Sequence, residues 1–417
     1  MPETMSQIVV TVVAGLLATA CASRLAAADN LPSDQDFSQV ERGRYLTAVA
    51  DCGACHTDRD ATAQFGGGRP IATPFGKVLA ANITPDQQTG IGTWTDAQFD
   101  AAVRRGRGPD GERLYPAMPF PYYARMTQQD VLAIRAYLTT LPPVHHAVQS
   151  NQLPFPFDIR AGMSLWDALY FDAQPFKPDP HKSAQWNRGA YLVSGPGHCG
   201  ACHTPKNALG GDQKQQALQG YTVQGWFAPN ITGDLALGLG HWSVADVQAY
   251  LKTGHNRFAG ASGPMAEEIA DSSSKMTDAD LEAIAIYLKD QSGGTAAAKA
   301  LDPKDPQMVA GAAIYRDLCS ACHTPDGSGV AYLIPNLAAS SAVGSREPTS
   351  VLRVVIHGAQ TVATPQEPTA PAMPAFGWQL TDAEIAAVST YVRNSWGHAA
   401  PALAESDAHK ARTLSSD

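Results

Sequence analysis

Six of the seven cysteines fall into three copies of one short motif. In each copy two cysteines stand three positions apart and a histidine follows directly, at residues 52–56, 199–203 and 319–323. Thiols at this spacing can form thioethers to the two vinyl groups on one edge of a porphyrin. The adjacent histidine can then bind the iron from the proximal side. The motifs predict three covalent haem c groups, attached at Cys52, Cys55, Cys199, Cys202, Cys319 and Cys322 and ligated by His56, His203 and His323.

Other uses of a Cys-x-x-Cys pair fit these motifs poorly. A redox dithiol has no need of a histidine directly after its second cysteine, and a zinc site needs a second pair of ligands nearby. Three disulfides of such short span would cross-link almost nothing. We therefore expect a haem at each motif.

A methionine in a segment rich in proline or glycine follows each motif and is the predicted sixth ligand of each iron. These methionines are Met118, Met265 and Met373. We expect the neighbouring prolines to hold the chain extended, so that the thioether faces the ring. A second methionine directly precedes the closing helix in two units, as Met126 and Met276, but the third unit has Leu380 there. Leucine cannot bind iron, so this position predicts a packing residue.

Two histidines are rival ligands at matching places in the second and third units, His255 and His357. The first unit has Arg105 at that place, and a position that accepts arginine is a poor iron site. We expect both histidines at the surface or beside a haem propionate. Trp94 and Trp242, which also occupy matching places, are expected to pack on a haem or in the core.

Each unit is framed by an opening helix that carries a glycine and a closing helix that carries a tyrosine. The closing helices are predicted to begin with a capping box, in which a threonine is followed three residues later by an acid. The three pairs are Thr127 with Asp130, Thr277 with Asp280, and Thr381 with Glu384. Tyr137, Tyr287 and Tyr391 are expected to pack on the opening-helix glycine, where the missing side chain lets two helices cross closely.

The chain has 417 residues, 44% hydrophobic and 17% charged, with a formal net charge of −9. This composition is that of a globular protein, and the negative charge excludes general attraction to nucleic acid. Residues 1–28 are predicted to be a signal peptide that removes Cys21, with an apolar run at residues 8–20 and small residues at 26–28. Export agrees with haem attachment in the periplasm. No later segment is apolar enough to span a bilayer.

The predicted fold is all-α, with three tandem cytochrome c-type domains at residues 36–146, 183–293 and 305–397. Linkers are predicted at 147–182 and 294–304, and a polar tail at 398–417. An iron with histidine and methionine ligands has no open position, so it transfers electrons and leaves bond chemistry to others. No phosphate-binding, dinucleotide-binding or nucleophile motif accompanies the haem motifs. We therefore predict no catalytic residue on this chain.

Several longer stretches resemble one protein family, the tri-haem cytochrome c subunits of membrane-associated periplasmic alcohol and aldehyde dehydrogenases. The cytochrome subunits of gluconate, sorbitol and fructose dehydrogenases are related to it. The stretches that carry the resemblance are 75–92, 114–119, 186–192, 198–205 and 394–397. They extend the match well beyond the cysteine motifs.

The resemblance implies a large dehydrogenase subunit of the pyrroloquinoline-quinone, molybdenum or flavin type as partner, with or without a small subunit. It implies that electrons pass to ubiquinone at the periplasmic face of the cytoplasmic membrane. Two alternatives stay open: a free-standing multihaem carrier between respiratory complexes, and a haem enzyme or gas sensor in which one iron lacks its methionine.

Overall fold

The computed structural model describes residues 37–60, 63–294 and 299–413, which form three successive units made mostly of helices. The predicted signal peptide and Cys21 lie outside these residues. The first unit contains α1 (Phe37–Val49), α2 (Cys52–His56), β1 (Pro70–Thr73), β2 (Gly76–Leu79), α3 (Asp96–Arg105), α4 (Phe120–Tyr123) and α5 (Gln128–Leu138). The segment after it contains a 3₁₀ turn (Arg160–Gly162) and α6 (Met163–Tyr170).

The second unit repeats this order of elements. It contains α7 (Ala184–Ser194), α8 (Gly200–His203), a 3₁₀ turn (Lys214–Gln216), β3 (Tyr221–Val223), β4 (Trp226–Ala228), α9 (Val244–Thr253), α10 (Pro264–Asp271), a 3₁₀ turn (Ser273–Lys275) and α11 (Asp278–Lys289).

The third unit differs in its opening helix, which widens into a π-helical turn before the cysteine motif. It contains α12 (Pro306–Ile314), the π turn (Tyr315–Cys319), α13 (Ser320–His323), a 3₁₀ turn (Leu337–Ala339), α14 (Ser341–Gly344), α15 (Thr349–His357), β5 (Ala359–Gln360), β6 (Ala372–Met373), α16 (Asp382–Val392) and α17 (Glu405–Arg412).

The all-α prediction holds in a coarser form, since helices dominate. Each unit also has one two-stranded antiparallel pair, β1 with β2, β3 with β4 and β5 with β6. These strands are only two to four residues long, so period-two alternation could not reveal them in the sequence.

The opening and closing helices of each unit cross at a glycine, as predicted. A Cβ atom added at Gly43 of α1 would lie 1.8 Å from the Ala133 carbonyl oxygen of α5 and 2.9 Å from Tyr137 Cβ. The equivalent crossings place Gly189 against Ala283 and Gly311 against Ala387, at 1.9 and 2.2 Å. Only a residue without a side chain allows these backbones to approach so closely.

Threonine side chains cap the three closing helices, as predicted. Thr127, Thr277 and Thr381 each accept a hydrogen bond from the backbone N–H three residues later. In α16 the Glu384 side chain accepts in return from the Thr381 N–H, which completes the capping box. In α5 and α11 the prediction of a capping box is wrong, because the acid at this position binds an arginine of its own unit and a tyrosine of the neighbouring unit instead.

Those two acids, Asp130 and Asp280, join the first and second units through reciprocal contacts. The Tyr191 hydroxyl of the second unit donates to Asp130 of the first. The Tyr45 hydroxyl of the first unit donates to Asp280 of the second at 2.5 Å. The arginines on the same carboxylates are Arg42 and Arg188, each from the carboxylate's own unit.

The third unit packs on the second and covers His255. This histidine is 2% exposed, and its Nε2 lies 2.9 Å from the Thr361 hydroxyl of the third unit. The prediction of a surface position for His255 is therefore wrong, because a later unit buries it. His357 is half-buried, with Nε2 3.4 Å from the Ala411 carbonyl oxygen of α17.

The C-terminal helix α17 belongs to the core of the third unit. Its Ala408 and Ala411 are buried together with Leu403 against α15 and α16. Across residues 37–60, 63–294 and 299–413, no helix combines the length and apolar character that crossing a bilayer requires.

Candidate functional site

Each cysteine motif forms about one turn of helix: the first is α2, the second is Cys199 followed by α8, and the third runs from the π turn into α13. Side chains three and four positions apart lie on the same face of a helix. Both thiols and the imidazole of each motif consequently point the same way. All nine of these residues line one connected cavity of about 1750 Å³, which runs through the three units.

Each of the three motif histidines makes an equivalent hydrogen bond to a backbone carbonyl group, and this bond sets the orientation of its ring. Nδ1 of His56 lies 2.6 Å from the Ala81 carbonyl oxygen, and Nδ1 of His203 lies 2.6 Å from that of Pro229. In the third unit His323 Nδ1 lies 3.2 Å from the Pro335 carbonyl oxygen. A carbonyl can only accept, so Nδ1 carries the proton and Nε2 keeps its lone pair. Each imidazole is thereby prepared to bind a metal through Nε2.

Short antiparallel pairings deliver these three carbonyl groups. The β1–β2 pair ends at Leu79, two residues before Ala81, and the β3–β4 pair ends directly before Pro229. In the third unit an isolated bridge joins Val330 to Ile334, directly before Pro335. In the sequence an asparagine directly follows each of these carbonyl groups, at positions 82, 230 and 336. That repeat was the available signal for the histidine's partner.

The recurring asparagines fold the chain directly after the carbonyl. Asn82 Oδ1 accepts from the Thr84 N–H at 2.9 Å, and Asn230 Oδ1 accepts from the Thr232 N–H at 2.8 Å. In the third unit Asn336 Oδ1 accepts from Ala339 N–H at 3.0 Å. These turns hold the accepting carbonyl at the end of a fixed segment.

The three predicted methionine ligands also line the cavity, but each has a different backbone setting. Met118 lies in a turn before α4, and Met373 is the last residue of β6. Met265 is the second residue of α10. The expectation of an extended chain is wrong for Met118, because the chain turns there, with the Met118 N–H donating to the Tyr115 carbonyl oxygen at 3.1 Å. It is also wrong for Met265, because Pro264 occupies the first helical position, where a proline without an N–H is accommodated.

Burial keeps four of the motif thiols protonated. It raises the pKa of Cys52 and Cys199 to about 12 and that of Cys55 and Cys319 to about 11. Redox dithiols and zinc thiolates depend on the opposite shift. Burial also lowers the pKa of the motif histidines, against a smaller raising effect of the carbonyl contact, which favours neutral imidazole.

The residues present fit a haem c at each motif. Each site brings a thiol pair, an imidazole with free Nε2 and a thioether to an apolar cavity. Within the described part of the chain, no group of three or more His, Cys, Asp or Glu side chains is placed to hold a bare metal ion.

The predicted packing residues lie where expected. Met126 is fully buried and Met276 is 3% exposed, each within its unit's hydrophobic core, and both also reach the cavity wall. Trp94 packs on the first core, and Trp242 stacks on Phe258 with ring centroids 5.5 Å apart. His255 and His357 are absent from the residues that line the cavity.

Comparison with known proteins gives three matches to one family profile. The cytochrome c profile matches residues 40–142, 187–292 and 308–396. The chain is 38% identical over 384 residues to the cytochrome c subunit of gluconate 2-dehydrogenase from Pantoea cypripedii, covering 87% of each chain.

Two further relatives are cytochrome subunits of other dehydrogenases. The chain is 37% identical over 393 residues to the cytochrome c subunit of alcohol dehydrogenase (quinone) from Gluconacetobacter polyoxogenes, covering 88% of this chain and 82% of the relative. It is 37% identical over 398 residues to the fructose dehydrogenase cytochrome subunit of Gluconobacter japonicus, covering 88% and 81%.

Proposed function

Since the chain belongs to the cytochrome c family, we propose that it is the electron-transfer subunit of a periplasmic, membrane-associated dehydrogenase complex. Three of its relatives are cytochrome subunits of gluconate, alcohol and fructose dehydrogenases, and they align with this chain over most of its length. An alcohol or aldehyde is the proposed substrate of the partner subunit, and ubiquinone is the proposed electron acceptor.

The chain's part in this function is to hold three haem c groups, each of which supplies one-electron redox chemistry when bound. The proposed sets are Cys52, Cys55, His56 and Met118; Cys199, Cys202, His203 and Met265; and Cys319, Cys322, His323 and Met373. The observation that carries this proposal is the carbonyl contact to Nδ1 in all three units. A core histidine would use either nitrogen, whereas an iron ligand needs Nε2 free each time.

The methionines fill the sixth position in this proposal and so keep oxygen and other ligands away from the iron. The apolar cavity walls exclude water, which together with the thioether favours the reduced state. Neither the motifs nor the methionine segments contain a group that could oxidise an organic substrate. Substrate oxidation is accordingly assigned to the large subunit, with pyrroloquinoline quinone, molybdenum or flavin as its cofactor.

An exposed apolar patch supports the proposed position at the outer face of the cytoplasmic membrane. Its residues come from the segment between the first two units and from one loop of the second: Phe155, Phe157, Ile159, Leu165, Leu169 and Leu209. Two contacts hold these segments in place: Phe157 packs on Phe75 of the first unit with ring centroids 4.9 Å apart, and Trp166 Nε1 donates to the Leu209 carbonyl oxygen at 2.9 Å. All of the patch residues except Phe155 also line the mouth or wall of the cavity. Exposed apolar side chains grouped in this way are typical of membrane or protein contact.

Purification of the chain from its native membranes in mild detergent tests the proposal. We expect a stoichiometric large subunit to co-purify, and mass spectrometry would identify its cofactor. Addition of that subunit's substrate should reduce the haem absorption bands, and added ubiquinone should reoxidise them. A soluble, monomeric tri-haem protein that purifies alone and is reduced by no alcohol, aldehyde or sugar would instead indicate a free-standing carrier.

A further inference from the structure

The first two units pack so that the segment after each methionine lies on the other unit's cysteine motif. In one direction, α10, which carries Met265, lies against α2. Glu267 of α10 anchors this contact, because it pairs with Arg59 and with Arg69, the latter at 2.7 Å. Arg69 also donates to the carbonyl group of Ala54, inside the first cysteine motif.

In the other direction, Tyr122 of α4 lies on the second unit's cysteine motif. A Cβ added at Gly200, between the two cysteines, would lie 2.9 Å from Tyr122 Cε1. The Tyr122 hydroxyl donates to Asp212 Oδ2 of the second unit at 2.5 Å. Burial and the charge of Asp212 raise the pKa of Tyr122, so the hydroxyl stays protonated and keeps donating.

The next residue, Tyr123, holds the same helix to the first unit's own motif. Its hydroxyl donates to the Ala50 carbonyl oxygen at 2.7 Å, two residues before Cys52. Its ring meets the His198 imidazole edge-on at 5.6 Å, directly before Cys199. Both tyrosines line the cavity, four and five residues after Met118.

Building on the proposed electron-transfer function, we propose that Tyr122 is a positioning residue for transfer between the first and second haems. It holds the first unit's methionine segment against the second unit's attachment helix, and thereby sets the packed contact across which the two cofactors exchange electrons. In the third unit's motif, by contrast, Ala321 and Cys322 are exposed.

The test measures electron exchange within the full-length holoprotein. After photoreduction, the phase in which electrons redistribute between the first and second haems is recorded for wild type, Tyr122→Leu and Tyr122→Phe. Introducing Met118→His in parallel shifts the first haem's spectrum and potential, and so identifies its phase. Tyr332→Leu is the matched control, because Tyr332 is 56% exposed and does not line the cavity.

We expect Tyr122→Leu to slow this phase several-fold, while Tyr122→Phe, which keeps the ring, retains most of the rate. The three reduction potentials and the absorption band of the methionine–iron bond should stay unchanged, as should the rate in Tyr332→Leu. An unchanged rate in Tyr122→Leu would overturn the proposal. A slower exchange rate in Tyr122→Leu would also overturn the proposal if changed reduction potentials or loss of the methionine–iron band fully accounted for it. In that case Tyr122 would only support the methionine ligand.

This experiment separates the inference from the function on which it rests. If the chain fails to carry three methionine-ligated haems, its absorption spectrum shows this before any kinetics are recorded. If no dehydrogenase subunit associates with it, the exchange rate between its own haems is still measurable.

Discussion

Replacing Gly189 with alanine should force α7 and α11 apart. The new Cβ would lie 1.9 Å from the Ala283 carbonyl oxygen, and real Cβ contacts essentially never fall below 3.0 Å, so the helices must separate by roughly 1 Å. Overpacking of this kind costs about 3 kcal/mol at its upper end, and the better helix propensity of alanine offsets about 1 kcal/mol. The net loss of about 2 kcal/mol corresponds to a fall of roughly 10 °C in melting temperature for a unit of this size.

Calorimetry of the holoprotein provides the measurement, with Gly162→Ala as control because no atom outside its chain neighbours comes within 4 Å of a Cβ there. In Gly43→Ala and Gly311→Ala the new Cβ would lie 1.8 and 2.2 Å from a carbonyl oxygen. The fall in melting temperature should therefore be largest for Gly43→Ala, intermediate for Gly189→Ala and smallest for Gly311→Ala. A Gly189→Ala protein that melts with the Gly162→Ala control would refute the close-crossing argument.

Three further predictions concern ligation, pH and membrane contact. Met118→Leu should let the reduced protein bind a stoichiometric amount of carbon monoxide, whereas Met126→Leu should bind none; binding in both would contradict the ligand assignment. Burial raises the pKa of Glu268 to about 7, so its stabilising contribution is complete below about pH 4.5 and is lost as pH rises through 7. Between about pH 5 and about pH 8, the free energy of unfolding measured by urea titration should therefore fall less in Glu268→Gln than in wild type. If the free energies of the two proteins fell in parallel over this range, the assigned role of Glu268 would be wrong. Leu169→Ser should weaken binding of the protein to lipid vesicles roughly tenfold. Leu235→Ser should leave vesicle binding unchanged, because Leu235 is exposed outside the apolar patch. Equal vesicle binding by the two variants would exclude the patch as the membrane contact.

The helix caps and helix crossings of each unit were predictable, because they depend on residues close together in the sequence or on a repeated pattern. The threonine caps follow from residues three positions apart, and the glycine crossings follow from a repeat seen three times. The destinations of Asp130 and Asp280 were not predictable, because each binds a tyrosine of another unit. Burial of His255 depends in the same way on a unit that begins later in the chain.

The candidate site was predictable in its residue types and less so in its backbone. The spacing of the cysteines predicted the thiols and the histidine of each site. Met118, Met265 and Met373 were predicted as ligands because the other recurring methionine position is occupied by Leu380 in the third unit. The carbonyl group that fixes each histidine was missed because any residue type can supply a carbonyl. The helical setting of Met265 was missed because proline is compatible with an extended chain and with a first helical turn.

The reciprocal tyrosine–aspartate contacts also constrain the order in which the protein is assembled. They join residues 61 and 235 positions apart, and Asp280 lies downstream of both the first and the second cysteine motif. A chain that is synthesised from its N-terminus presents both motifs before Asp280 emerges to meet Tyr45. Docking of the first two units through Tyr45 and Asp280 can therefore be completed only after both cysteine motifs have been made.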